Sequence, residues 1–273
     1  MTPTTNPVTA APIVHLTVFK SGTEMFRKII TDMTGLPFEE PPLVRGKVNY
    51  KDVNQLYHKP GHFYSWHLYP TPEVRRKIKE MAAKPVLLIR NIYDLPVSMY
   101  HHFAKNIDAD IGMGRDVDHY FREVDHPTGL AMIINGFIKP DFIWPGLGTH
   151  LQHIQMLLEL ARDYPSFLTS YDRLLLHKAR ELKALATFLD LPISENRLAT
   201  IVEESSFGAM KAKADALNMG SHFRKGRVNS HAEELSGEHI RMIHQVIDRE
   251  APDLPAIAKA AGFEEILTTT LHP

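Results

Sequence analysis

The chain has 273 residues, a formal net charge of −1, 44% hydrophobic residues and no cysteine. That length suits one large domain able to bury about three quarters of its unfolded surface. The balanced charge excludes a broad basic face for nucleic acid and a polybasic membrane patch, and the missing cysteines exclude disulfides, thiolate metal sites and a cysteine nucleophile. In chain order, residues 1–11 are rich in Thr, Pro and Ala and read as a flexible tail without the basic start or apolar core of a signal peptide. Residues 12–273 then read as one domain. Strand-like runs are expected at Ile13–Phe19, His62–Leu68, Pro85–Ile89 and Ser166–Ser170. Helical patterns are expected at Glu24–Met33, Thr71–Ala83, Tyr93–Ala104, Thr149–Asp163, Leu176–Leu189, Glu195–Glu204 and Ser236–Glu250. Pro37 to Pro42 reads as a loop, and Ile107 to Pro145 as a less regular region. Short apolar strands alternating with helices point to an α/β fold: a central, mostly parallel sheet flanked by helices. No apolar run approaches the roughly 20 residues needed to cross a bilayer, so no membrane span and a cytoplasmic location are expected.

The first expected strand ends in Lys20-Ser21-Gly22-Thr23 and a helix follows at once. A strand–loop–helix of this kind directs unpaired backbone N–H groups and a lysine at one point, where the helix dipole also favours an anion. Gly22 lacks the Cβ that would hold a phosphate off the backbone. The run is not a Walker A loop, since the first glycine and the Gly-Lys-Ser/Thr order are absent. Alone, it serves equally well as a helix cap.

A second strand–turn–helix unit runs from Pro85 through Arg90, Asn91, Asp94 and Ser98 to Phe103. Arg90 and Ser98 could grip another phosphate at the carboxyl edge of the sheet; the alternative is an arginine paired with Asp94 and a serine bonded to its own helix. Further along come Ser205-Ser206-Phe207-Gly208-Ala209-Met210 and Phe223-Arg224-Lys225-Gly226. In this order the four segments resemble the sulfotransferase family that uses 3′-phosphoadenosine 5′-phosphosulfate (PAPS). The middle section, Tyr164-Pro165-Ser166 to Tyr171-Asp172 and on to Phe188-Leu189, is also similar to that family, so the resemblance covers about Ile13 to Gly226.

The resemblance implies roles residue by residue. Lys20 would hold the 5′ phosphate and the bridging oxygen, with Ser21, Gly22 and Thr23 giving loop N–H and hydroxyl donors. Glu24 and Met25 extend that donor site, although the family has threonine and tryptophan there; a thioether can pack on a purine, and the Glu24 carboxylate must turn away from the phosphates. Arg90, Ser98, Arg224, Lys225 and Gly226 match the grip on the 3′ phosphate that distinguishes this donor from ATP. Tyr171 matches a tyrosine that touches the adenine, and Ser206 and Phe207 match the segment whose aromatic stacks on it. The product would be adenosine 3′,5′-bisphosphate (PAP), and the chemistry requires no metal.

Ser65-Trp66-His67-Leu68-Tyr69 resembles the strand end that carries the family's catalytic histidine, which makes His67 the general base and Lys20 its catalytic partner. An imidazole has a reference pKa of about 6.5 and can take a hydroxyl proton at neutral pH. The chain holds 16 histidines, and it is position in the motif that singles out His67. Ser65 departs from the family's animal cytosolic branch, which often carries lysine there: either Lys20 alone handles the charge or another cation reaches in. His153 aligns with a histidine that lines the acceptor pocket in some relatives. His150 and His153 share a helix face, but no third ligand at metal spacing is evident, so solvated or pocket-lining histidines are expected. The acceptor is expected to be a small molecule, sugar or lipid. Two other readings stay open: a protein that binds the bisphosphate with impaired catalysis, and a kinase of P-loop type, which would need a full Walker A loop. Oligomeric state is undecided from sequence.

Overall fold

In the computed structural model the described residues are 11–41, 50–105, 117–140, 142–216 and 226–269. Among them, residues 11–41, 50–89 and 160–216 form one compact unit, and residues 90–105, 117–140, 142–159 and 226–269 form a second.

The first unit is built on a five-stranded sheet. Its strands are β1 (Ile13–Thr17), β2 (Phe38–Glu39), β3 (Phe63–Trp66), β4 (Lys84–Ile89) and β7 (Phe167–Ser170), in the order β2-β3-β1-β4-β7 with every pair parallel. All five residues of β1 are buried, as strands covered on both faces must be. Helices α1 (Thr23–Thr34), α2 (Pro72–Glu80), α7 (Tyr171–Leu176), α8 (Lys178–Phe188), α9 (Glu195–Glu204) and α10 (Phe207–Ala216) complete this unit. Their ends follow local rules. Gly35 closes α1 in a left-handed conformation with its N–H on Thr31 O at 2.7 Å. Thr71 caps α2 with Pro72 behind it, and Ser194 caps α9 through the Arg197 N–H.

The second unit is mainly helical: α3 (Asp94–Ala104), α4 (Asp118–Arg122), α5 (His126–Asn135), α11 (Gly237–Glu250) and α12 (Leu254–Ala260), with the short antiparallel pair β5 (Phe137–Ile138) and β6 (Ile143–Trp144). It also includes residues 148–159 of α6 (Gly148–Asp163). Ser236 caps α11 in a capping box whose return bond comes from His239.

The expected strands and long helices are present, with ends shifted by a few residues. The stretch read as a loop at Pro37 to Pro42 contains β2, which two residues of parallel pairing with β3 suffice to define. The region read as irregular contains α4, α5 and the β5–β6 pair. Beyond Pro252 a further short helix follows, α12, whose own Pro255 lies in its first turn where a missing N–H costs nothing.

Candidate active site

In a parallel sheet all carboxyl ends lie on one edge; three of the expected site residues directly follow strands and a fourth, Lys20, comes three residues after one. Lys20 follows β1, His67 follows β3, Arg90 follows β4 and Tyr171 follows β7.

The β1–α1 loop has two residues at positive φ, Lys20 (66°) and Gly22 (94°). The left-handed region costs an ordinary residue roughly 1–2 kcal/mol, so Lys20 is held there by its surroundings. Gly22 is the N-cap of α1 and no side chain caps that helix. The first intrahelical bond is Phe26 N–H to Gly22 O, 3.2 Å. The N–H groups of Thr23, Glu24 and Met25 therefore precede the helical ladder, as an anion cradle requires. The reason for glycine at position 22 differs from expectation. A Cβ there would lie 2.5 Å from Cδ2 of Tyr171, so it is the tyrosine ring that occupies the space a larger residue would need. The same contact brings Tyr171 against the loop.

Ser21 also differs from the expected donor role. Its side chain is buried, its hydroxyl donates to Val18 O at 2.5 Å and lies 2.5 Å from Thr17 Oγ1, and its N–H donates to Val18 O at 3.1 Å. Thr17 Oγ1 is also 3.2 Å from Thr23 Oγ1. These three hydroxyls tie the loop to itself, leaving Lys20 and the first-turn amides as its outward chemistry. The Glu24 carboxylate turns to Arg27 Nη1 one helical turn on, at 2.9 Å, which satisfies the requirement that it leave the phosphates. Met25 is buried.

Register explains the position of His67. Pairing of β1 with β3 sets His15 opposite Ser65 and Leu16 opposite Trp66, so the next residues, Thr17 and His67, are neighbours. His67 Nδ1–H donates to Thr17 O at 2.9 Å. A carbonyl only accepts, so Nδ1 carries the proton in neutral imidazole and Nε2 is the basic nitrogen. The ring is half-buried, edge-on to Phe19 at 5.7 Å and tilted on Trp66 at 5.9 Å.

One residue further into the sheet lies a network that sequence reasoning missed. His15 is fully buried, with Nδ1 2.8 Å from Ser65 Oγ. Arg27 Nε donates to the same hydroxyl at 2.8 Å and Nη2 to Ser65 O at 3.1 Å. Arg27 also meets Glu40 at 2.5 Å and lies over the Phe38 ring at 4.5 Å. A cation thus reaches Ser65, where that branch of the family often has lysine, and Glu24 and Glu40 balance its charge. Burial, then the positive charge of Arg27 and the His67 ring, hold His15 well below the ordinary imidazole range. The only signal in the sequence was a polar residue, His15, inside an apolar strand.

Ser206 is the residue before α10, and its hydroxyl accepts from Ala209 N–H at 3.2 Å. It acts as a helix cap in this structure; Phe207, next to it, is half-exposed.

In the second unit, the β4–α3 junction is arranged differently. Asn91 Oδ1 accepts from Tyr93 N–H at 2.9 Å and from Asp94 N–H at 3.4 Å, while Nδ2 donates to Glu265 O and Thr268 O. The start of α3 is therefore already filled by a side chain. Asp94 is buried; its Oδ1 accepts from Ser230 Oγ at 3.0 Å, His231 N–H at 2.8 Å and His231 Nδ1–H at 3.0 Å. Burial pushes its carboxyl upward, but the His231 hydrogen bonds and the Arg90 charge outweigh that and hold it below the ordinary value. Ser98 is half-exposed on α3 and Gly226 has φ 58°. Arg224 and Lys225 lie outside the described residues.

His150 and His153 are 8% and 1% exposed. Of the two expectations, solvated or pocket-lining, the first is excluded: both sit on the buried face of α6. Burial holds His150 down at about 4, a neutral ring packed 5.1 Å from Trp144.

A family model described as "Sulfotransferase domain" matches residues 12–255. The chain is 26% identical over 212 residues to Sulfotransferase 6B1 of Danio rerio, which covers 75% of this chain and 64% of that relative's length. Two solved structures share the fold. Mouse sulfotransferase SULT7A1 complexed with PAP has a TM-score of 0.65 and 17% identity over 92% of this chain and 88% of that one. Retinol dehydratase in complex with androsterone and inactive cofactor PAP has a TM-score of 0.62 and 15% identity over 89% and 81% of the two chains.

Proposed function

The chain belongs to the sulfotransferase domain family, and we propose that it moves a sulfuryl group from PAPS to a hydroxyl (or amine) of a small-molecule, sugar or lipid acceptor. The observation that carries this reading is the β1–α1 loop, where first-turn amides without a side-chain cap adjoin Lys20 and the His67 imidazole is hydrogen-bonded to the end of the same strand. One catalytic lysine and one oriented base therefore belong to adjacent strand ends. The androsterone in the retinol dehydratase complex supports an alcohol as acceptor.

In the proposed reaction, His67 Nε2 takes the acceptor's hydroxyl proton as the oxygen attacks sulfur. The new S–O bond forms as the S–O bond to the 5′ phosphate breaks, and PAP leaves. Lys20 and the N–H groups of Gly22, Thr23, Glu24 and Met25 stabilise the charge that builds on the leaving phosphate. The Thr17 carbonyl fixes the tautomer of His67 and supports the imidazolium that forms. Tyr171 and Phe207 would contact the adenine, with Ser206 supporting Phe207 as a cap. Arg90, Ser98, Arg224, Lys225 and Gly226 would hold the 3′ phosphate, and His153 the acceptor side. Residues 12–273 as one working domain belong to the same proposal.

Calorimetry with PAP, together with transfer from labelled PAPS to a panel of alcohols, phenols and sugars, tests the reading. Lys20→Ala is expected to lower turnover by about 10²–10³, and Arg90→Ala to weaken PAP by roughly 10–100-fold. His67→Ala is expected to lower turnover by about 10²–10⁴ with PAP affinity unchanged. PAP binding unaltered in both the Lys20 and Arg90 variants sinks the donor site. Binding without transfer to any acceptor leaves a bisphosphate-binding protein instead.

A further inference from the structure

The second unit holds a group of side chains that the proposed reaction does not use. His101 lies in the last turn of α3, His126 is the first residue of α5, and Glu234 follows the 3-10 turn Ser230–Glu233. The two imidazoles and the carboxylate each present one ligand atom, and these atoms all lie within 4.8 Å of one another. His101 Nε2 is 2.6 Å from Glu234 Oε2, and His126 Nε2 is 3.4 Å from the same oxygen. Glu234 is only 10% exposed, so its carboxylate is drawn into the cluster rather than offered to solvent.

We propose that His101, His126 and Glu234 form a binding site for a divalent cation of the zinc class. The donor set is the first reason. Two imidazole nitrogens and one carboxylate suit Zn²⁺ and its borderline neighbours, whereas Mg²⁺ and Ca²⁺ prefer all-oxygen shells. The second reason is independent of the first. His126 Nε2 is shut off from solvent and makes no hydrogen bond, although the carboxylate oxygen is close. A buried imidazole nitrogen left in that state costs stability, and a cation shared with the other two ligands supplies the missing partner.

Without metal, the His101 Nε2–H donates to Glu234 in the place a cation would take. Ligand atoms about 2.0–2.2 Å from a tetrahedral zinc stand a little over 3 Å apart. The His126 distance already fits, and the His101–Glu234 contact has to open by a fraction of an ångström as the proton leaves. Packing preorients both rings: His126 is edge-on to Tyr100 at 4.6 Å and His101 edge-on to the same tyrosine at 5.2 Å. Three protein ligands leave a fourth position for water, and no redox or covalent step is involved.

The site clamps the end of α3 to the start of α5 and to the turn after Asn229, so its role is structural. Nothing in the sequence spacing reveals it, because the three ligands come from separate elements. It revises the expectation of no metal, and it identifies a different pair of histidines from His150 and His153.

The test titrates the full chain, stripped with chelator and dialysed, with zinc chloride in a calorimeter. One site per chain is expected. His126→Ala and Glu234→Gln are each expected to weaken it by about 100-fold or more, beyond the 10–100-fold typical of supporting residues. His58→Ala, at an exposed position, leaves it unchanged. Cobalt(II) in place of zinc is expected to give strong visible absorption from a low-symmetry site in the wild type and not in His126→Ala. Zinc at a hundredfold excess over its Kd is expected to raise the unfolding midpoint by roughly 5–10 °C in the wild type and in His58→Ala, and not in the His126 and Glu234 variants. Equal zinc affinity in all four proteins, or a midpoint that rises equally in the His126 and Glu234 variants, overturns the proposal and assigns binding to other histidines.

Discussion

The β1–α1 and β4–α3 junctions read alike in sequence, as strand, polar turn and helix, yet they are finished in opposite ways. At the first, a left-handed Gly22 starts the helix with no side-chain cap, and the serine and threonine hydroxyls bond among themselves. Its binding capacity is therefore main-chain, with one lysine. At the second, the Asn91 amide fills the helix start and Asp94 is enclosed by Ser230 and His231. Its capacity lies in side chains alone, Arg90 and Ser98. A motif that resembles a phosphate grip can thus supply either the amides or the cation, and hydrogen-bond accounting tells the two apart.

The largest effect that tests this difference is expected at Asn91. Asn91→Ala removes two accepted and two donated hydrogen bonds from a buried amide. At roughly 0.5–1.5 kcal/mol each, the loss is about 2–6 kcal/mol in a denaturant titration. An Asn91→Ala protein as stable as the parent would show that the second junction is not held by its side chains. Gly22→Ala should cost less stability, about 1–2 kcal/mol for the positive φ, but should cut PAP affinity as the Tyr171 ring is displaced. If stability falls and PAP affinity does not, the first junction is a structural cap only.

The smallest effect is a difference in pH window. His15, beside the first junction and faced by Arg27 and His67, titrates well below its ordinary value. A depressed imidazole means that the unfolded chain binds a proton the folded one refuses. Stability is then full above the unfolded value of 6.5 and falls as pH drops below it. Asp94, faced by Arg90 and His231, is depressed as an acid, so its contribution is full above the unfolded value of 3.8 and lost only as pH falls further. Each group changes the slope by at most about 1.4 kcal/mol per pH unit. Unfolding free energies from pH 7 to 3 for the parent, His15→Gln and Asp94→Asn check the order. A His15 variant that flattens the curve only below pH 4 would reverse the assignment.

Much of the candidate site was legible in position, though not in role, because strand ends carry it. Lys20, His67, Arg90 and Tyr171 each come after a short run whose length and apolar, aromatic or β-branched content mark a strand, and a parallel sheet puts such ends on one edge. The turn of the Glu24 carboxylate to Arg27 is a local matter too, an i,i+3 pair on one helix. Ser21, Ser206 and the histidines of α6 were harder. A serine beside a helix start serves as donor to a ligand or as cap according to which way its hydroxyl rotates. A histidine on an amphipathic helix is solvated or buried according to what packs over it.

Composition, strand and helix periods, capping residues and motif order are properties of short segments, and the chain carries them before it folds. They determined the α/β class, the order of the four expected strands and the long helices, and the strand-end residues of the candidate site. The Ser65–Arg27–His15 network, the burial of His150 and the His101–His126–Glu234 cluster were decided only by tertiary structure. Each depends on strand register or helix packing between segments far apart in the chain, and no local pattern encodes the distance between such atoms.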